Sequence, residues 1–149
     1  MSLSSSVTPA PSLGMGLQTY RGSCSCGAVR FEVDFDPGEG TNRCNCTACT
    51  KSAWWGIYVK PEAFRLLSGG DKVRDYSRAE AVHVQFCGVC GNRLFGYGNL
   101  PELGGAYGSV NVNCLDGVDL TGIQVTYLDG RHDTWATLAV APYVNPFSA

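Results

Sequence analysis

The chain has 149 residues, enough for one domain around a single buried core. Only 16% of it is charged, against 44% hydrophobic, and the net charge is −2. This balance argues against a general nucleic-acid binder, which would carry a basic face. No stretch approaches the roughly 18 apolar residues of a membrane span, and 19 glycines favour turns and short strands over long helices.

Residues 1–17 are rich in serine, proline and glycine and read as a flexible tail, with Met1-Ser2-Leu3 as a cloning remnant. The tail lacks the basic and apolar regions of a secretory signal. The domain is therefore placed at residues 18–149, and the thiols are expected in a reducing cytoplasm, where clustered cysteines more often bind metal than form disulfides.

From Gly27 to Asp36, Val29, Phe31, Val33 and Phe35 alternate with Arg30, Glu32 and Asp34, the pattern of a half-buried strand. Pro37-Gly38-Glu39-Gly40 is a turn. Trp54 to Val59 is aromatic and β-branched, hence strand-like. Pro61 suits the start of one helical turn, and a short strand around Arg65-Leu66-Leu67 ends at Ser68-Gly69-Gly70. Val82, Val84 and Phe86 alternate into Cys87. Gly98 to Gly105 is expected to be irregular, and Val110, Val112 and Cys114 read as one face of a further strand. Asp129-Gly130, between Gln124–Leu128 and Thr134–Val140, signals a hairpin. The class is mainly β, with one domain.

Eight cysteines punctuate this pattern. Cys24 and Cys26 form one pair and Cys87 and Cys90 another; Cys44, Cys46 and Cys49 form a triplet, and Cys114 stands alone. Residues two apart in an extended segment point to one side, so each cluster can present its sulfurs together, as zinc requires. A disulfide scaffold is disfavoured because cysteines one residue apart bridge poorly. Iron–sulfur ligation fits the close pairing less well than a mononuclear ion. Cys24, Cys26, Cys87 and Cys90 make a complete four-thiolate set, which leaves Cys44, Cys46 and Cys49 with a fourth position open, the feature that separates catalytic from structural zinc. Spacing alone leaves other pairings, and Cys114 as a fourth ligand, open.

The segments Gly22 to Phe31, Cys44 to Cys49, Phe64 to Gly69 and Phe86 to Gly91 resemble the glutathione-dependent formaldehyde-activating enzyme family, also called the GFA or CENP-V domain. The likeness runs from about Tyr20 to about Leu115, and more loosely to Trp135. It implies an Mss-four-like fold of β-sheets pinned by a structural zinc on Cys24, Cys26, Cys87 and Cys90. It also implies a catalytic zinc on Cys44, Cys46 and Cys49. The activity implied joins glutathione to formaldehyde, giving S-(hydroxymethyl)glutathione, and in reverse is a carbon–sulfur lyase. Family members often carry His where this chain has Ser25.

Two Zn2+ ions are thus expected, the second prone to partial occupancy because an exposed all-thiolate site oxidises. The partners are a small thiol such as glutathione and a small aldehyde, with no nucleic acid or membrane. A related enzyme acting on another small electrophile, and a non-catalytic zinc-stabilised binding module, are the alternatives. Arg43 and Lys51 flank the triplet as ordinary solvated charges, and Trp54 and Trp55 are divided between pocket wall and core. His83 and His132 read as surface residues, and Cys114 as a buried thiol. No general acid is identifiable.

Overall fold

The computed structural model describes residues 16–146, apart from the Arg78 side chain. The expected tail therefore lies outside the described residues except for its last two positions. Two sheets form the molecule. The smaller contains β1 (Gln18–Ser23), β2 (Arg30–Phe35) and β5 (Phe64–Ser68), in the order β1-β2-β5.

The larger sheet contains β3 (Thr41–Cys44), β4 (Gly56–Val59), β6 (Val73–Ala79), β7 (Val82–Cys87) and β8 (Arg93–Leu100). It is completed by β9 (Gly105–Asn111), β10 (Gln124–Leu128) and β11 (Thr137–Pro142), in the order β11-β10-β3-β4-β9-β8-β7-β6. One short helix, α1 (Thr47–Lys51), follows β3. Among the described residues no helix is long and apolar enough to cross a membrane.

The alternation in β2 is what buries the small sheet. Phe31, Val33 and Phe35 are buried, while the outward Glu32 and Asp34 bind Arg65 of β5 at 2.6 and 2.7 Å. The Phe31 ring meets Phe95 of β8 edge-on, with centroids 5.5 Å apart, and so joins the two sheets in one core. Trp55 is 1% exposed, and its indole N–H donates to Thr41 Oγ1 at 2.7 Å, satisfying a buried polar group.

Every sheet pairing is antiparallel except β3 with β10. These run parallel, with Thr41 opposite Val125 and Cys44 opposite Leu128. The triplet thus begins at the end of a strand whose neighbour comes from near the C-terminus.

Two expectations need correction. The strand expected through Val110, Val112 and Cys114 ends at Asn111, and Val112–Cys114 is a 3-10 turn. The Asn111 side chain accepts from Asn113 N–H at 3.1 Å, so a local cap replaces the ladder. The hairpin expected at Asp129-Gly130 is present: β10 and β11 pair antiparallel across a loop from Asp129 to Ala136, closed by Asp129 N–H bonding Ala136 O at 2.9 Å. The segment Gly98 to Gly105 is mostly ordered strand and one 3-10 turn, Pro101–Leu103.

Candidate metal and substrate site

The first cysteine group is built from two chain reversals, each aimed at its leading cysteine. Val29 N–H points at Cys24 Sγ (3.3 Å) and Val89 N–H at Cys87 Sγ (3.4 Å). Gly27 N–H returns to Cys24 O (3.0 Å) and Gly91 N–H to Cys87 O (2.8 Å). Both glycines adopt positive φ, +77° and +79°, which closes each reversal without steric cost. Asn92 links the two, accepting from Ser25 N–H at 3.2 Å.

The four sulfurs of Cys24, Cys26, Cys87 and Cys90 all lie within 4.8 Å of one another. Cys24 to Cys26 is 3.5 Å and Cys26 to Cys87 is 3.8 Å. A tetrahedron with bonds of about 2.3 Å has sulfur edges of about 3.8 Å, so the donor set fits zinc. All eight cysteines are free. The Ser25 hydroxyl, ahead of the backbone N–H groups of Asn92 and Cys26, holds the Cys90 thiol down at about 5. Ser25 therefore has a contact of its own with a candidate ligand.

The second group changes secondary structure across its length. Cys44 ends β3, Cys46 is the extended N-cap of α1, and Cys49 lies within the helix. Cys46 N–H points at Cys44 Sγ and Cys49 N–H at Cys46 Sγ, each at 3.4 Å. Their sulfurs also lie within 4.8 Å of one another, and no fourth cysteine, histidine or carboxylate of the described residues joins them. Three soft donors fit a thiophilic ion such as zinc. Burial is the largest influence on all three thiols. It raises Cys44 and takes Cys49 to about 12, while for Cys46 the N–H of Cys49 and the neighbouring thiols outweigh it and the pKa falls.

A bolt from the distant β10–β11 loop secures the triplet. Asn45 Nδ2 donates to Asp129 Oδ1 at 2.9 Å, and Asn45 Oδ1 accepts from Arg131 N–H at 2.8 Å. Asp129 also accepts from Thr134 Oγ1 (3.0 Å) and meets His132 Nδ1 (2.9 Å). Led by the Asn45 bond, these contacts hold its carboxyl down at about 2. Gly130, next in the loop, gives its backbone N–H to Cys44 Sγ.

The triplet opens onto a cavity of about 420 Å³, walled by Trp54, Tyr58, Tyr107, Ser109, Arg93 and Trp135 among others. A smaller cavity of about 310 Å³ also borders Cys44 and Cys49, together with Arg43 and Tyr127. The Arg93 guanidinium sits 4.0 Å over the Trp54 ring, and its Nη1 donates to Ser52 Oγ at 2.7 Å. No carboxylate of the described residues pairs with Arg93, and its positive charge is felt at Cys49 and at Tyr58.

The other residues singled out by sequence fall outside this constellation or at its margin. Arg43 packs over Trp55 at 5.3 Å and lines the smaller cavity. Lys51 is an exposed residue of the last turn of α1. Trp55 is core and Trp54 is cavity wall, although both are buried. The His83 ring stacks on Tyr97 and its Nδ1 meets Asp75 at 3.2 Å. By the alternation of β7 this face is opposite Val82 and Val84, so His83 borders the cavity with its backbone. His132 is 69% exposed. Cys114 is buried, donates to Asn92 Oδ1 (3.7 Å) and Arg93 O (3.6 Å), and joins neither sulfur group. Nothing local in the sequence ties Tyr58, Arg93 or Gly130 to the triplet, because only long-range strand pairing brings them there.

A family model described as glutathione-dependent formaldehyde-activating enzyme matches residues 19–128. Over 92 residues, 55% of this chain, the sequence is 34% identical to a Halomonas elongata protein named as a candidate glutathione-dependent formaldehyde-activating enzyme. The matched part spans 59% of that relative's length. A crystal structure of a Rhodobacter sphaeroides protein superposes with a TM-score of 0.57 at 27% identity, covering 66% of this chain and 90% of that one.

Proposed function

The chain belongs to the glutathione-dependent formaldehyde-activating enzyme family, and on that premise we propose that it adds a small thiol, glutathione or a close analogue, to formaldehyde or a similar small aldehyde. The reverse reaction is carbon–sulfur lysis. The observation that carries this reading is the three-sulfur group without a fourth ligand, facing a cavity of about 420 Å³. The four-sulfur group of Cys24, Cys26, Cys87 and Cys90 is complete by itself and takes the structural role.

A zinc ion held by Cys44, Cys46 and Cys49 would supply an open position at which a substrate thiol is bound as its thiolate. The protein's own residues then do three things. Asn45 and the Gly130 N–H fix the position of Cys44. Arg93, which lines the cavity with no carboxylate partner among the described residues, offers a cation to the carboxylates that a peptide thiol carries. Trp54 and the tyrosine rings wall the cavity, so that thiol and aldehyde are held together rather than meeting by diffusion.

The test is the rate of exchange between free and thiol-bound formaldehyde, measured by NMR with glutathione in the presence of zinc-loaded protein. Exchange faster than the spontaneous reaction, lost in Cys46→Ser, supports the reading. Exchange at the spontaneous rate with both metal sites filled overturns it and leaves a metal-stabilised binding module.

A further inference from the structure

Addition of a thiolate to an aldehyde leaves negative charge on the former carbonyl oxygen, and that oxygen must acquire a proton. No histidine side chain faces the cavity, and the cavity residues named above include no carboxylate. What the cavity does offer is phenols: Tyr107, Tyr76 (61% exposed, on the edge strand β6) and Tyr58. Tyr58 stands on β4, with its neighbour Ile57 turned into the core and its own ring turned to the opposite face. It is 43% accessible and borders both the cavity of about 420 Å³ and a second of about 480 Å³.

The ring is held rather than loose. It meets Tyr107 edge-on, with centroids 5.6 Å apart and planes at 77°. Its hydroxyl makes no hydrogen bond to any described residue, whereas the Tyr107 hydroxyl is spent on Ala81 O at 3.4 Å. The Tyr58 phenol also lies within electrostatic reach of Cys49, Cys44 and Arg93. A fixed ring with an unused O–H, in the cavity onto which the triplet opens, is an arrangement for donating to a ligand oxygen.

Resting on the function proposed above, we infer that Tyr58 is the catalytic hydrogen-bond and proton donor to the aldehyde oxygen. The substrate thiol loses its proton to solvent, and the sulfur lone pair forms the C–S bond. The carbonyl π pair moves to oxygen, and that oxygen takes the Tyr58 proton. Water then reprotonates the tyrosinate, so the sum is thiol plus aldehyde giving the S-hydroxyalkyl adduct. In the reverse direction the phenolate accepts the adduct's hydroxyl proton as the C–S bond breaks. A tyrosine phenol keeps its proton at neutral pH, so the donor form is filled.

Tyr58→Phe tests this, because it keeps the ring and its contact with Tyr107 while removing only the hydroxyl. Two quantities are read on metal-loaded protein: the exchange rate with glutathione and formaldehyde, and glutathione binding followed by the thiolate-to-metal absorption of the cobalt form. The expected result is a loss of about 100-fold or more in kcat, with glutathione binding unchanged and the wild-type solvent deuterium effect on kcat diminished. A Tyr58→Phe enzyme within about threefold of an active wild type overturns the inference alone. A loss that tracks weaker glutathione binding overturns it too, since the hydroxyl would then be a binding group. A wild type that does not accelerate exchange overturns the function it rests on.

Discussion

The backbone N–H of Gly130 points at the sulfur of Cys44, so close that a β-carbon at position 130 would collide with that sulfur and press on the Trp135 ring at 3.0 Å. Gly130→Ala should therefore displace Cys44 or the whole β10–β11 loop, at a cost of about 1–3 kcal/mol. The measurements are the thermal unfolding midpoint and metal stoichiometry. One metal equivalent should be lost while the four-sulfur group keeps its own.

The two sulfur groups should separate cleanly under mutation. Cys87 is fully buried, and its group joins the turn after β1 to the end of β7. Cys87→Ser should unfold the domain, because a structural zinc contributes on the order of 10 kcal/mol to such a fold. Cys46→Ser should leave circular dichroism near wild type while abolishing exchange and removing one metal equivalent. Equal effects on folding would mean that both groups are structural.

Arg93 should govern affinity for the thiol. Arg93→Ala removes the cation facing the triplet, and a charge-assisted hydrogen bond is worth about 1.5–3 kcal/mol. KM for glutathione should rise about 10- to 100-fold. A thiol without a carboxylate should show no such rise, and Arg93→Lys should recover part of the loss. Parallel losses for both thiols would assign Arg93 to packing on Trp54 instead.

Acid stability should report the bridge between β2 and β5. The hydrogen bonds from Arg65, followed by that from Thr19, hold the Asp34 carboxyl at about 2, below its usual 3.8. Between those values the unfolded chain binds more protons than the folded one, so stability rises with pH. The contribution is complete above about 4 and fades as pH falls through about 2. Urea unfolding across that window should show a slope that Asp34→Asn reduces.

Cys114 should prove inert toward metal. Its sulfur donates to Asn92 Oδ1 and Arg93 O, bonds that a serine hydroxyl can approximate. Cys114→Ser should change metal content at neither site. A lost equivalent would make Cys114 a ligand.

What could be read from the sequence was what is local. The sulfur groups come from spacings of one or two residues, and β2 from strict alternation. The 3-10 turn at Val112–Cys114 was hidden because its valine and cysteine are buried as a strand's would be, while Asn111 decides the backbone. The hairpin signal at Asp129-Gly130 holds, but it does not disclose that Asp129 does more than turn the chain. It gathers Asn45, His132 and Thr134, and the loop is long enough to bring them there. Tyr58 and Arg93 meet only because β4, β9 and β8 lie side by side, an order that no local pattern encodes.

The parallel pairing of β3 with β10 bears on how the protein is made. As the chain leaves the ribosome, the four-sulfur group has all its sulfurs once Cys90 has emerged, and the Asn92 link follows two residues later. The triplet's cysteines appear earlier still, yet Asp129 and Gly130, which lock Asn45 and Cys44, come more than 80 residues after them. Closing so long a loop is slow compared with local contacts. During synthesis the nascent chain therefore presents three thiols before their mould exists. Early metal capture, or protection by a chaperone, would spare them from oxidation in that interval.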